Sequence, residues 1–268
     1  NHIGNGIFSG DTSQLDTNSD ANISMSIDST EYLSNNSIKL KALIDLDLEQ
    51  QKYTFKENKG YINALPLEFN GFLQLVEEGQ QIDISFKNPE SSFKDFLAVI
   101  PKAYAKNIEN VKTTGNFNVN GIIKGLVSEK TIPSLDINIR SNNASFKYPN
   151  LPKSVDNIHI DASVKNTTGI ADDTYVDINQ LDFKIDQDVF KSEAHIKNLP
   201  GNMLVNANLD GVLNLANITK AYPVKLENDL SGILKGKLNT AFDIKAIETN
   251  AYQRIKNNGS VTISNFVF

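Results

Sequence analysis

Several residue types that serve chemistry are scarce or missing in this sequence. The 268 residues include no cysteine, no tryptophan and only three histidines. Without cysteine the chain has no disulfide, no thiolate metal site and no cysteine nucleophile. A polysaccharide hydrolase would need paired carboxylates in a cleft, often beside aromatic platforms, and the lack of tryptophan counts against one. Enzyme classes that rest on these side chains are therefore set aside.

Long apolar runs and positive charge are also missing. No stretch reaches the 18 or so apolar residues of a membrane-spanning helix, and no signal peptide is present. The net charge is −6, which argues against nucleic acid and disfavours simple electrostatic docking on anionic lipid. Because the sequence begins at Asn1 without methionine and ends on an apolar run, we expect a piece of a longer protein, with any membrane anchor outside it.

No catalytic or metal-binding pattern stands out. The sequence contains no G-x-S-x-G, Walker-type or H-E-x-x-H motif. His159 and His195 fall on the polar sides of expected strands, and the pair Asp172–Asp173 suits a turn better than a cation site. The glycines between positions 115 and 125 lack the lysine and hydroxyl of a phosphate loop, which favours bulges. We predict a non-enzymatic protein with no catalytic residue, no metal and no cofactor.

Period-two alternation dominates what the sequence does contain. From Ile38 to Leu48 apolar and polar residues alternate with one break, at Leu43, which is typical of a long strand with one solvated face. Similar runs recur throughout, and we count about sixteen strands. Hydrophobic residues make up 40% of the chain and charged residues 22%, as in a globular protein. The fold class is therefore mainly β.

One helix-like segment occurs twice. Leu97–Asn110 and Leu215–Asn228 are identical at eight of fourteen positions, at a spacing of 118 residues. The first helix is predicted over about 92–108, with Ser92 as N-cap and a kink at Pro101, and the second over about 212–222. Their apolar stripes have helical spacing. These stripes consist of Phe93, Phe96, Leu97, Ile100 and Tyr104 in the first helix, and of Leu215, Ile218 and Tyr222 in the second.

The duplication suggests a modular sheet. We predict a partial β segment over 1–36, one repeat unit over 37–150 and a second over 155–268, each of about 115–120 residues with one amphipathic helix. One helix covers roughly two strands, so two helices leave most of the apolar side bare. A bare face of that size exceeds what soluble monomers tolerate.

Three arrangements would cover or use the bare apolar face of the sheet. The sheet can close as a sandwich or barrel, it can pair with another part of the parent protein, or it can curve into an open trough that holds apolar chains. Alternation by itself favours the sandwich, whereas end-to-end repetition favours the trough. We expect an elongated, curved antiparallel sheet, a β-groove. Its predicted lining comprises Ile38, Leu40, Ile44, Leu46, Ile82, Ile84, Phe86, Phe117, Val119, Leu135, Ile137, Ile139, Ile158, Ile160, Val164, Phe183, Ile185, Val205, Leu209, Phe242 and Ile244.

The chain resembles the AsmA-like proteins of Gram-negative bacteria, in the form common in Bacteroidetes. The stretches that carry the resemblance are Asp45–Phe55, Ile62–Gly71, Phe96–Tyr104, Asn120–Gly125 and Ala144–Pro152. Their order and spacing, more than any single one, make the likeness specific. The resemblance covers most of the chain.

The resemblance implies a function that spacing does not show. AsmA-like proteins are similar to bridge-like lipid-transfer proteins with repeating β-groove units, and they are associated with phospholipid traffic to the outer membrane and its integrity. It implies a periplasmic location, with an inner-membrane anchor outside these residues, phospholipid as the ligand and possible envelope protein partners. The alternative from the residues is a structural or interaction scaffold of a cell-envelope complex, with a closed β-sandwich core.

Overall fold

The computed structural model describes residues 2–9, 12–27, 30–89, 91–97, 110–199, 201–223 and 231–267. Side-chain burial is described for the same residues except 2–9, 12, 23–27, 30–36 and 57. The strands are β1 (His2–Ser9), β2 (Thr12–Ile27), β3 (Thr30–Asp47), β4 (Lys52–Ile62), β5 (Leu65–Val76), β6 (Gly79–Lys87), β7 (Ser91–Ser92), β8 (Lys112–Val127), β9 (Ser134–Lys147), β10 (Val155–Asn166), β11 (Tyr175–Ile185), β12 (Asp188–Lys197), β13 (Leu204–Asn214), β14 (Ser231–Asp243) and β15 (Lys256–Val267). The helices are α1 (Phe93–Leu97), α2 (Leu215–Ala221) and α3 (Ile244–Glu248), with 3-10 turns at Ala171–Asp173 and Tyr252–Arg254.

All fifteen strands belong to one antiparallel sheet. Each strand pairs with the next along the chain, except that β6 pairs with β8 and the short β7 also pairs with β8. The prediction of a mainly β, antiparallel fold is confirmed. In the described part of the chain β1 pairs only with β2 and β15 only with β14, so the sheet has two edges.

Opposite charges face each other across neighbouring strands on one side of the sheet, which we call the polar face. Lys124 Nζ lies 2.7 Å from Asp83 of the adjacent strand, and Lys237 Nζ lies 2.8 Å from Asp210. Both pairs are directly opposite in register. Exposed ion pairs of this kind add little stability each, but they fix which side of each strand faces water. The other side is the apolar face.

The apolar face is covered at its centre by α1. Phe93 is buried in a cluster with Ala144, Val155, Ile158, Ile185 and Ala221. A second cluster, formed by Leu65, Phe117 and Val119, packs against Phe96 of the same helix. Leu97, the first residue of the first copy of the duplicated segment, packs against the same cluster as Ala221 of the second copy, so the two copies meet in one core.

The second helix is shorter than the sequence predicts, and only the beginning of the first lies within the described residues. The first is described only from Phe93 to Leu97, and residues 98–109, which include Ile100 and Tyr104, lie outside the described residues. The second runs from Leu215 to Ala221, so the prediction of 212–222 was too long at both ends. Residues 212–214 belong to β13, because Asn214 is the N-cap and its side chain accepts from the Ala216 amide at 3.1 Å.

One predicted groove residue lies in a different element. Ile244 was placed in a strand, but it is the first residue of α3. Asp243 ends β14 and caps this helix, accepting from the Ala246 amide at 3.1 Å. The N-terminal residues 1–36, for which a partial β segment is predicted, contain β1, the long strand β2 and the first part of β3.

The accessible surface is large for a chain of this size. It amounts to 16559 Å², whereas a compact monomer of this mass would expose about 11,600 Å². The described residues form a single sheet with short helices on one face and no second layer over most of its area, which agrees with the large surface. None of the helices in the described ranges is long and apolar enough to cross a membrane.

Candidate functional site

A continuous row of apolar residues crosses nine strands of the apolar face. Directly opposite partners in successive strands from β5 to β14 make up this central row: Phe69, Phe86, Gly121, Ile137, Val164, Val176, Ile196, Val205 and Phe242. No member is polar. At about 4.8 Å per strand, the row is about 38 Å long.

A second row beside it carries small side chains. It runs through Val119, Ile139, Ala162, Ile178, Ala194 and Ala207. Three of these six residues are alanine, so the side chains along this row are short and rise little above the sheet. Together the two rows form an apolar strip. We call the second row, with its short side chains, the low flank of this strip.

The predicted lining residues fall on this face, with the exception of Ile244. Register places Leu40, Ile44 and Leu46 of β3 opposite residues of the apolar side of β4, and Ile82 and Ile84 of β6 opposite that of β5. Ile38 lies opposite Ile62 of β4. The remaining strand residues of the predicted set lie in the two rows or beside them on the same face, and in β11 a bulge between Ile178 and Leu181 brings Phe183 and Ile185 to this face.

In the part of the chain that the structure describes, helices cover only part of this face. Phe86, Ile137 and Ile139 pack against the cluster beneath α1. By contrast, Ile196 and Val205 belong to neither core cluster and remain half-buried. Within the described residues α1 and α2 have five and seven residues and are about 7.5 and 10.5 Å long at 1.5 Å per residue, which is short against a row of about 38 Å.

A loop between β9 and β10 holds α2 against the sheet. The Lys153 amide donates to the Lys220 carbonyl at 3.0 Å, and Lys153 Nζ pairs with Asp186. The rings of Tyr148 and Tyr222 meet edge to face at 5.8 Å. Burial, and secondarily the neighbouring Tyr222, raise the pKa of Tyr148. These contacts fix the position of α2 on the apolar face. The part of the apolar face that has no described helix over it begins beside α2.

The polar face carries several shallow depressions, of which two span most of the strands. One, of about 700 Å³, lies over β4 to β9, and the other, of about 630 Å³, lies over β11 to β15. Asparagine side chains bridge the strands within the second region: Asn239 Nδ2 donates to Asn208 Oδ1 at 2.8 Å. Hydrogen bonds from Lys56 and Gln14 lower the pKa of Asp45 on this face. These groups are solvated and mutually paired, as expected for an outer surface.

The residues weighed as ligands or catalysts do not come together. His159 Nδ1 contacts the carbonyl of Asn157 at 2.9 Å, and His195 Nδ1 contacts Asp177 Oδ1 at 2.5 Å. Asp173 accepts from the Thr168 hydroxyl at 2.7 Å within a turn. In the part of the chain that the structure describes, no three His, Asp or Glu side chains gather as a metal site would require.

Three buried asparagines were not predicted from the sequence. Asn88 donates to the Phe117 carbonyl at 2.9 Å and accepts from the Val119 amide at 2.6 Å. Asn58 bonds both backbone groups of Leu43 in the same way. Asn166, which begins an N-x-T triplet, is fully buried and accepts from the Gly169 amide at 2.8 Å. Each of these side chains forms hydrogen bonds with backbone groups where strand pairing is interrupted. The amino-acid composition does not reveal this role.

Comparison with protein-family models, with curated proteins and with solved structures gave no match.

Proposed function

We propose that the chain is a non-enzymatic, AsmA-like segment that binds or conducts phospholipid between the inner and outer membranes and thereby supports outer-membrane integrity. Its place would be the periplasm of a Gram-negative bacterium, held to the inner membrane by an anchor outside these residues. Its partners would be phospholipids or other lipids with apolar tails, and envelope proteins. The curved groove, the two repeat units and one amphipathic helix per unit belong to the same proposal.

The observation that carries the proposal is the central row. A bilayer's hydrocarbon core is about 30 Å thick, so one lipid tail spans about 15 Å. The row, at about 38 Å, is long enough for two tails end to end. Its half-buried members beyond α1, such as Ile196 and Val205, belong to neither core cluster.

The low flank supports the same use. Ala194 and Ala207 lie opposite each other beside Ile196 and Val205. A tail lying along this line would meet methyl groups on the sheet and bulkier side chains on one side. Burial there is worth about 25 cal/mol per Å² before ordering costs. An apolar strip of this kind discriminates poorly between chain lengths, so we expect broad specificity.

A pair of adjacent substitutions tests the proposal. Val205 lies in the central row, while its neighbour Asn206 is exposed on the polar face. The protein is purified gently and its lipid measured by native mass spectrometry and by extraction. We expect phospholipid in the wild type and in Asn206→Asp, and at least a tenfold loss in Val205→Asp with an unchanged circular dichroism spectrum.

Two results would contradict the proposal. One is a wild-type protein that carries no lipid and takes none up from phospholipid vesicles. The other is equal lipid retention in Val205→Asp and Asn206→Asp. If Val205→Asp does not fold, Val205→Thr keeps the shape of the side chain and adds one hydroxyl, and it should lower retention while Asn206→Asp does not.

A further inference from the structure

The connection between β14 and β15 is a compact folded unit, residues 244–255, which we call the α3 tip. It contains α3 and the 3-10 turn Tyr252–Arg254. The Ala251 amide donates to the Ala246 carbonyl at 2.8 Å, which closes the C-terminal end of α3. Ala246 is fully buried. These contacts hold the exposed side chains of the tip in a fixed arrangement.

Large apolar side chains are exposed at the α3 tip. Ile247 is 45% exposed and Tyr252 is 60% exposed, and the elements that carry them pack against each other. Leu204, directly opposite Asp243 where β14 ends, is 50% exposed. Single exposed apolar residues are common on soluble proteins, but grouped ones mark an interaction surface.

The charge around the α3 tip is positive, unlike that of the whole chain. Four basic side chains lie in the tip or at the adjoining strand ends, against two acidic ones, in a chain with a net charge of −6. One of the acidic groups, Asp243, accepts from Arg254 Nη2 at 2.5 Å. The basic side chains are Lys197, Lys245, Arg254 and Lys256, and the acidic ones are Asp243 and Glu248.

The other described connections at this end of the strands have a different charge. This end also carries the connections β3–β4, β5–β6, β8–β9, β10–β11 and β12–β13. None of these five has a net positive charge, and the last has no charged residue. The charged residues of the other four are Glu49, then Glu77 and Glu78, then Glu129 and Lys130, and then Asp172 and Asp173.

Exposed apolar residues, a tyrosine and cations together are typical of a protein surface that lies in the interface of a bilayer. We infer that the α3 tip docks on a lipid bilayer, with Ile247 and Tyr252 in the headgroup region and Lys245 and Lys256 facing anionic lipid. Apolar burial attracts the tip to any bilayer, and each lysine near an anionic surface adds about fivefold in affinity. The net charge of the chain does not oppose this contact, because charges more than about 8–10 Å away are screened at physiological salt.

The α3 tip adjoins the central row. Phe242, a member of that row, is followed two residues later by Ile244, the first residue of α3. The Ile244 amide donates to the Met203 carbonyl at 3.0 Å, which ties the tip to the start of β13. A lipid that leaves the bilayer at the tip would reach the row directly, a step that rests on the proposed function. The docking itself does not require the row to bind lipid, so the two are tested separately.

The absence of tryptophan makes a fluorescent reporter possible. Tyr252→Trp places the only tryptophan of the chain in the α3 tip. Tyr61→Trp is the matched control, because Tyr61 is 49% exposed and lies near the opposite end of the strands. Vesicles of phosphatidylcholine, with and without phosphatidylglycerol, are added to each variant. We expect the emission of Tyr252→Trp to move to shorter wavelength, more so with phosphatidylglycerol, and that of Tyr61→Trp to stay unchanged.

Vesicle co-sedimentation of two matched pairs of variants separates the apolar and the charged contribution. Ile247→Ser should weaken binding about tenfold, whereas Ile170→Ser, at a 55% exposed residue in the acidic β10–β11 connection, should not. Lys245→Gln should weaken binding about fivefold on vesicles with phosphatidylglycerol only, and Lys130→Gln should not. All four side chains are exposed, so the circular dichroism spectra should match that of the wild type.

Three results would overturn the docking: no response of Tyr252→Trp to either kind of vesicle, an equal response of Tyr61→Trp, or an equal loss of binding in Ile170→Ser and Ile247→Ser. Native mass spectrometry of the purified wild type keeps the proposed function separate. Vesicle docking by a protein that carries and takes up no lipid would uphold the tip and contradict the proposed function. Retained lipid without docking would contradict the tip alone.

Discussion

The ring of Phe96 in α1 stacks on the ring of Phe117 in β8, with centroids 4.3 Å apart and planes inclined by 15°. Phe117 is 3% exposed, while Phe96 is half-buried. The contact ties the helix to the apolar face where the central core forms. A five-residue helix has little stability of its own, so this packing must supply what local propensity does not.

The first prediction concerns this pair of rings. Phe117→Ala should lower the free energy of unfolding by about 3–5 kcal/mol, because it leaves a cavity in the core. Phe96→Ala should cost less, and the double variant should reveal a coupling of about 0.5–1.5 kcal/mol. Chemical denaturation of the four proteins measures this cycle. Phe72→Ala, on the polar face beneath Lys52 Nζ, should cost less than about 1 kcal/mol. Additive losses would exclude the coupling.

A second prediction concerns Asn88. Its side chain replaces a missing strand partner for the Phe117 carbonyl and the Val119 amide. Asn88→Ala leaves both backbone groups without it and should cost about 2–3 kcal/mol. Asn120→Ala is the control, because that side chain is exposed and makes only a 3.4 Å bond to Asn118, and its cost should stay within about 0.5 kcal/mol. Equal unfolding midpoints for the two variants would contradict the assigned role.

A third prediction separates backbone strain from steric clash. Gly71 has φ of +127°, and a Cβ there would lie 1.9 Å from the Asp83 carbonyl oxygen. Gly125 has a similar φ of +130°, but the nearest atom to its Cβ would be 3.6 Å away. Gly125→Ala should cost about 1–2 kcal/mol from strain alone. Gly71→Ala should cost at least about 1–3 kcal/mol more, since the neighbouring strand must move. Matching losses in thermal denaturation would show that the clash is relieved at no cost.

The fourth prediction is a dependence on pH. The hydrogen bond from Asn202, the charge of Arg254 and the Ala246 amide together lower the pKa of Asp243 from its usual 3.8, against an opposing effect of burial. Because the folded-state pKa is lowered, the stabilisation is complete above pH 3.8 and is lost as the pH falls through the lower, folded-state value. The gap in melting temperature between wild type and Asp243→Ala should therefore shrink below pH 3.8. Arg254→Gln should reduce the gap at neutral pH, and a gap that grows on acidification would contradict the sign.

Period two was a reliable guide to the strands and to which side chains share a face. Alternating residues of a strand must point to opposite sides, so Leu40 and Ile44 fall on one face whatever the tertiary structure. These are local consequences of backbone geometry.

The bounds of the helices and the position of Ile244 in α3 could not be predicted from the period-two alternation of the sequence. At residues 212–214 the strand pairing of β13 with β14 competes with helix formation, and the pairing prevails until Asn214 caps α2. At Asp243 a capping side chain turns the chain into α3 although the apolar alternation continues through Ile244. Both outcomes depend on partners distant in sequence, which a local pattern does not contain.

The sequence by itself determined that the chain is mainly β, that its strands have one apolar and one polar side, and that one helix-like segment occurs twice. Tertiary structure alone decided that the apolar positions of β5 to β14 align as one central row, and that Phe96 and Ala221 belong to adjoining parts of one core. The physical reason is that alternation sets the face of a side chain within its own strand. Only the register of hydrogen bonds between strands sets which side chains lie next to each other.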